Sequence, residues 1–254
     1  MRSFICVGAA LLLAGCTPGG GPVKVTANLD YANTSLGYRN SGVLSSGQLM
    51  FWDLQTNQLV TVPADIKLQS KRPTRRRDLE ASQVRGFDFK ADASLTSQDE
   101  ATLKAAVQNK VKFTVKDAQR VDRRQIFTAV STAYTDAKSR GENPFSSWRV
   151  DDATANPARF KFVLLDDEVR ASSESIELLG ERTASGSLIV GGGDKGGISV
   201  SFPNSTTAKC SGDQVSCYIN ASVFTVFLNQ SGGLDYKPTG FDREALAAAL
   251  RDLS

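Results

Sequence analysis

Tyr218-Ile219-Asn220-Ala221-Ser222-Val223-Phe224-Thr225-Val226-Phe227-Leu228 is the stretch that decides the architecture. A strand with one face in water alternates apolar and polar side chains. From Val223 onward, apolar residues here fall on both faces, so the stretch is expected to be a central strand covered on each side.

Working outward, the C-terminal neighbour is a helix. Asp242 begins an amphipathic run to Leu253 in which Leu246, Ala249, Leu250 and Leu253 share one face. Upstream, Ser187–Val190 and Ile198–Phe202 are strands on either side of the loop Gly191–Gly197. That loop contains Lys195, but no Ser or Thr follows the lysine and a strand rather than a helix comes next. A hairpin loop is therefore expected instead of a phosphate cradle.

The middle of the chain alternates. Gly86–Ala91, Lys110–Val115 and Arg159–Leu165 read as strands, and the last two resemble each other in sequence. Between them lie two helices. The first is capped at Ser97 with Glu100 three residues on and carries Leu103, Ala106, Val107 and Val111 on one face. The second starts at Asp122, carries Ile126, Phe127, Val130, Ala133, Tyr134 and Ala137, and stops at Gly141 and Pro144. Such a run implies some parallel pairing through crossovers. Near the start, Val23–Tyr31 alternates as a half-buried strand, Asn33–Gly47 reads as a loop, and Gln48–Leu54 with Gln58–Val62 forms a hairpin. The expected fold is α+β: a mixed, mostly antiparallel sheet with two central amphipathic helices and a C-terminal helix, forming a single domain over residues 23–254.

At the N-terminus, Phe4 to Leu13 is an unbroken apolar run behind Arg2. Crossing about 30 Å of hydrocarbon takes roughly twenty helical residues, so ten make a signal segment and not a span. Leu13-Ala14-Gly15-Cys16 follows, and here the chain resembles bacterial lipoprotein precursors, whose lipobox ends in a Cys behind small residues and an aliphatic one. The resemblance covers only these first residues and implies nothing about the folded part. It implies removal of residues 1–15, diacylglyceryl and acyl chains on Cys16, and a stable bilayer anchor. It also implies an envelope location. Thr17 stands where Asp would retain such a protein at the inner membrane, which points to the outer one. Residues 16–22, rich in Gly and Pro, suit a flexible linker.

With Cys6 leaving in the signal and Cys16 acylated, Cys210 and Cys217 are left, and in an exported chain they are expected to form a disulfide around the turn Ser211-Gly212-Asp213. The formal charge of +3 falls to +2 once Arg2 is removed, which gives no general case for nucleic acid. The chain has no histidine. That removes the commonest general base, the usual zinc ligand and any Ser-His-Asp arrangement. No metal or other cofactor is expected.

Lys71-Arg72-Pro73-Thr74-Arg75-Arg76-Arg77 is the one dense charge run. It reads as an exposed loop, with contact to an anionic surface as its functional alternative. Asp151-Asp152 and Asp166-Asp167-Glu168, the latter at an expected strand end, are the acidic clusters that could do acid–base work. Trp52 and Trp148 could serve as sugar platforms but are more often core residues. The expected role is a non-catalytic, membrane-anchored scaffold or assembly protein with an envelope protein partner. The alternatives are a lipid-, glycan- or peptidoglycan-binding module, and a carboxylate-based envelope hydrolase.

Overall fold

The computed structural model describes residues 22–40, 44–191, 197–202 and 210–253. The lipobox, Cys16 and most of the glycine loop, residues 192–196, lie outside them. In chain order the elements are β1 (Val23–Asn28), β2 (Asn33–Thr34), β3 (Gly37–Arg39), β4 (Leu49–Asp53), β5 (Gln58–Thr61), β6 (Gln69–Ser70), β7 (Arg77–Ala81), β8 (Asp88–Ala91), α1 (Ser97–Lys110), β9 (Val111–Val121), β10 (Arg123–Arg124), α2 (Ile126–Ser139), α3 (Pro144–Ser147), α4 (Val150–Ala155), β11 (Phe160–Leu178), β12 (Leu188–Val190), β13 (Ile198–Ser201), β14 (Ser211–Leu228), β15 (Leu234–Pro238) and α5 (Arg243–Asp252). The α+β class and the mostly antiparallel pairing are as expected, with strand outweighing helix.

β11 and β14 form the spine of a nine-stranded sheet. Toward one end they carry β4, β5 and β15, and toward the other β9, β7, β3 and β2. Successive side chains on a strand point to opposite faces. Phe162, Leu164, Phe224 and Val226 accordingly pack beneath α2, α3 and α4, together with Val130, Tyr134 and Trp148. Val163, Leu165 and Val223 pack on the other face against Leu246, Ala247 and Leu250 of α5. β14 is thus the doubly covered central strand its sequence implies. Beyond the helices, the four-stranded sheet β12-β13-β1-β8 and α1 close a third core over the far halves of β9 and β11.

Several boundaries move, each for a physical reason. The parallel pair is β1 with β13, not the strands flanking α1 and α2, because β9 and β11 meet antiparallel. α1 is capped one residue early: Thr96 Oγ1 accepts from the Asp99 amide at 3.2 Å, while Asp99 Oδ2 accepts from the Thr96 amide at 3.1 Å. This capping box overlaps the expected Ser97/Glu100 frame and wins with the shorter acid. α2 starts at Ile126 behind a left-handed Gln125, not at Asp122, since residues 121–124 are still engaged in sheet pairing. Trp148 caps the C-terminus of α3 at the turn between α3 and α4, with Pro144 at the first position of α3 where its missing N–H is harmless. Asn33–Arg39, expected as loop, forms the buried pair β2–β3. Arg39 is 3% exposed there, bonded to Asp30 at 3.0 Å and Glu174 at 2.7 Å, and its guanidinium lies 5.3 Å from the centroid of Phe113. The Tyr218 hydroxyl donates to the other oxygen of Glu174. Burial first, and then the charge of Glu174, hold the Tyr218 phenol well above its ordinary pKa.

The disulfide Cys210–Cys217 is formed and buried in the third core. An extended chain would carry residues seven apart to about 23 Å, yet their Cα atoms are 5.1 Å apart. The difference is a bulge. Ala171 pairs with Val215 and Ser173 with Ser211, so residues 212–214 are extruded, with Gly212 at φ +135° and Gln214 at φ 55°. The bond ties off this bulge. A Cys210→Ala/Cys217→Ala variant is expected to lose roughly 2–3 kcal/mol, the chain-entropy value for so short a loop, read as a lower urea midpoint. An unchanged midpoint would show the bulge to be held by its hydrogen bonds alone.

Candidate functional site

The segment around β6 and β7 runs antiparallel to the end of β9 and to β10. Ser70 pairs with Arg123, Gln69 with Arg124 and Arg77 with Ala118. The Lys71 amide donates to the Asp122 carbonyl at 2.8 Å, the Thr74 amide to the Arg120 carbonyl at 3.1 Å, and the Arg120 amide to Thr74 Oγ1 at 2.9 Å. Residues 71–76 are exposed and belong to no strand, as expected, but β6, β7 and these hydrogen bonds lay the segment as a ribbon along the end of β9 and β10. Pairing sets a second basic cluster, Arg120, Arg123 and Arg124, against Lys71, Arg72, Arg75, Arg76 and Arg77. Sequence reading missed the second cluster. Its charge is visible in the chain, but its partner lies some fifty residues away and is set by strand pairing alone.

Three neighbouring carboxylates are occupied, while Asp122, within the ribbon, has no ion pair among the described residues. Arg76 meets Asp117 at 3.0 Å, Lys116 meets Asp78 at 2.5 Å, and Lys112 meets Glu80 at 3.9 Å. Among the described residues, Lys71, Arg72, Arg75, Arg77, Arg120 and Arg124 have no ion-pair partner. Beside Arg124, an open groove of about 170 Å³ continues over α2 past Gln69, Thr128 and Arg140.

Asp166-Asp167-Glu168 does not end a strand. It lies inside β11, where the strand hands over from β4 to β9 and the register against β14 slips between Leu165 and Glu168. A bulge there bends a nineteen-residue strand and turns polar side chains toward the ribbon. Glu168, 4% exposed, accepts from Arg123 Nη2 at 2.6 Å and Arg170 Nη2 at 2.7 Å. Arg123 also reaches Ser46 at 2.6 Å and the Ser70 hydroxyl, and its own amide donates to Asp167 Oδ1 at 2.6 Å. Arg123 thus points inward as the ribbon's anchor, while Arg124, next along the strand, is exposed. Asp166 accepts from Ser222 Oγ and from the Asp167 amide at 2.6 Å. Burial raises its pKa, against the pull of those two hydrogen bonds.

The other sequence candidates are accounted for. Asp151 and Asp152 lie in the first turn of α4, where the helix dipole favours them, and Asp152 meets Arg149 at 2.8 Å. Trp52 and Trp148 are core residues, 1% and 2% exposed. Among the described residues, no group of three His, Cys, Asp or Glu side chains could hold a metal ion, and no helix is long and apolar enough to cross a membrane.

The raised pKa of Asp166 has a signed consequence. Below the unfolded value near 3.8, both states are protonated and the group is neutral to stability. Above it, the unfolded carboxyl ionises freely while the folded one resists, so stability falls as pH rises through the folded pKa. Asp166→Asn, whose Oδ1 can keep the Asp167 amide while its Nδ2 donates to Ser222 Oγ, is expected to match the parent at pH 3.5 and exceed its urea midpoint at pH 7. A lower midpoint at pH 7 would contradict this.

No protein-family model matches the chain, and no curated protein matches it. Among solved structures it is similar to a bacterial gasdermin from Bradyrhizobium tropiciagri, at 10% identity, covering 84% of this chain and 88% of that one, with a TM-score of 0.34. A likeness this remote carries no inference about function.

Proposed function

We propose that the chain is an envelope lipoprotein, fixed to a bilayer through acyl chains on Cys16, whose folded body binds a partner and does not turn over a substrate. The observation that supports it is an asymmetry of charge. The carboxylates best suited to acid–base work are already engaged: Glu168 by two arginines, Asp152 by Arg149, and Asp166 by Ser222. The arginines and lysine on the outer side of the ribbon are not engaged. A general acid needs a proton it can give up at the reacting atom, and a carboxylate held between two guanidinium groups instead serves as a structural counter-ion. Exposed cations on strands and on a segment tied to them by backbone hydrogen bonds suit recognition. The hydrolase alternative would need a second, free carboxylate facing the first across a cleft.

Address and role are tested together. Mass spectrometry of the exported protein is expected to show a chain beginning at Cys16 and carrying two or three fatty acyl groups. Cys16→Ser is expected to release the protein from the membrane fraction, and in-cell cross-linking of the parent to capture an envelope protein. A mature chain starting elsewhere, or lacking acyl mass, would overturn the anchor. A parent that cross-links to nothing would overturn the partner.

A further inference from the structure

We propose that the ribbon of residues 69–77 and 120–124 is a docking surface for anionic phospholipid headgroups. The proposal deepens the lipoprotein reading in one respect only, since the nearness of a bilayer is taken from it. Six cations without an ion-pair partner belong to this ribbon: Arg77, Arg120 and Arg124 lie on strands, and Lys71, Arg72 and Arg75 lie on the exposed segment between β6 and β7, which backbone hydrogen bonds from Lys71 and Thr74 tie to Asp122 and Arg120. Their spacing is therefore set before any ligand arrives, and little order has to be gained on binding. Guanidinium groups present a planar fork that matches phosphate oxygens two at a time, and five of the six are arginines. Clusters of four to eight such residues beside a bilayer act as anionic-lipid contacts.

Two features select a lipid surface over other polyanions. Neither segment carries an aromatic residue in 69–77 or 117–124, whereas single-stranded nucleic acid is held by base stacking between phosphate contacts. The second is reach. With Cys16 acylated, the seven-residue step to Val23 spans at most about 25 Å, so β1 begins within that distance of the headgroups and the folded body is held close to the bilayer. The inward Arg123, clamped by Glu168, Ser46 and Ser70, keeps the ribbon seated while its neighbours face out.

The test uses the mature chain, residues 16–254, carrying Cys16→Ser, so that neither the apolar signal segment nor an acyl chain contributes to binding. It is co-sedimented with vesicles of phosphatidylcholine alone and of phosphatidylcholine and phosphatidylglycerol in equal parts. Binding is expected only to the second, weakening as sodium chloride is raised. Arg120→Gln/Arg124→Gln and Arg72→Gln/Arg75→Gln are each expected to bind roughly 25-fold more weakly, about fivefold per cation lost. Lys90→Gln/Lys104→Gln, on β8 and α1, is expected to bind as the parent does. The proposal is overturned if the phosphatidylglycerol vesicles are not bound, if both vesicle types bind equally, or if the Lys90/Lys104 pair weakens as much as the ribbon pairs. It is also overturned if a single-stranded oligonucleotide displaces the protein at equal phosphate, which would assign the ribbon to nucleic acid. Acylation of Cys16 is read separately by mass on the native protein, so loss of either result leaves the other standing.

Discussion

Two long strands that are apolar on both faces cannot stand in water, and β11 and β14 are such strands along the half where they pair as Phe162–Leu165 with Ala221–Phe224. Each face must be covered. Burying a large apolar side chain contributes about 1.5–3 kcal/mol, and these residues alternate between the core under α2, α3 and α4 and the core under α5. The helices are held where they are by that demand. α5 brings its own signal, with Asp242 Oδ1 accepting from the amides of Glu244 and Ala245. α2 does not, and its place is fixed by the aromatic set Tyr134–Trp148 and Phe127–Tyr236.

A strand of nineteen residues must also bend, and where it bends it changes partners. The slip at Leu165–Glu168 ends the contact with β4 and opens the contact with β9. Polar residues tolerate that irregularity because they can bond to whatever the broken ladder exposes. Here it exposes Arg123. A buried carboxylate is costly unless paired, and Glu168 is paired twice. The acidic bend and the basic ribbon are therefore one structure: the bend supplies the buried counter-charge, and the ribbon keeps its remaining cations outside.

How much of this was legible depended on range. Local patterns read well. The alternation of Val25 and Ala27, the hairpin from Leu49 to Thr61, the Asp242 cap and the Cys210–Cys217 pair all carry their cause within a few residues. Long-range causes were not visible. Asn33–Arg39 looks like loop because it is mostly polar, and it is buried because Leu36 and Tyr38 enter two cores and Arg39 finds Asp30 and Glu174. Asp166-Asp167-Glu168 looks like the end of a strand, since three acids in a row do not announce a bulge. Lys71–Arg77 was identified as a charge run, but that it forms a surface with Arg120 and Arg124 follows from pairing alone.

The central structural claim is that the buried Glu168–Arg123 pair holds the ribbon in place independently of the two covered cores. Amide hydrogen exchange on Glu168→Gln tests it most directly. Protection is expected to fall at residues 69–77 and 120–124 while amides of Phe162–Leu165 and Ala221–Phe224 keep theirs. Loss of protection spread evenly over both regions, or none in the ribbon, would contradict the account.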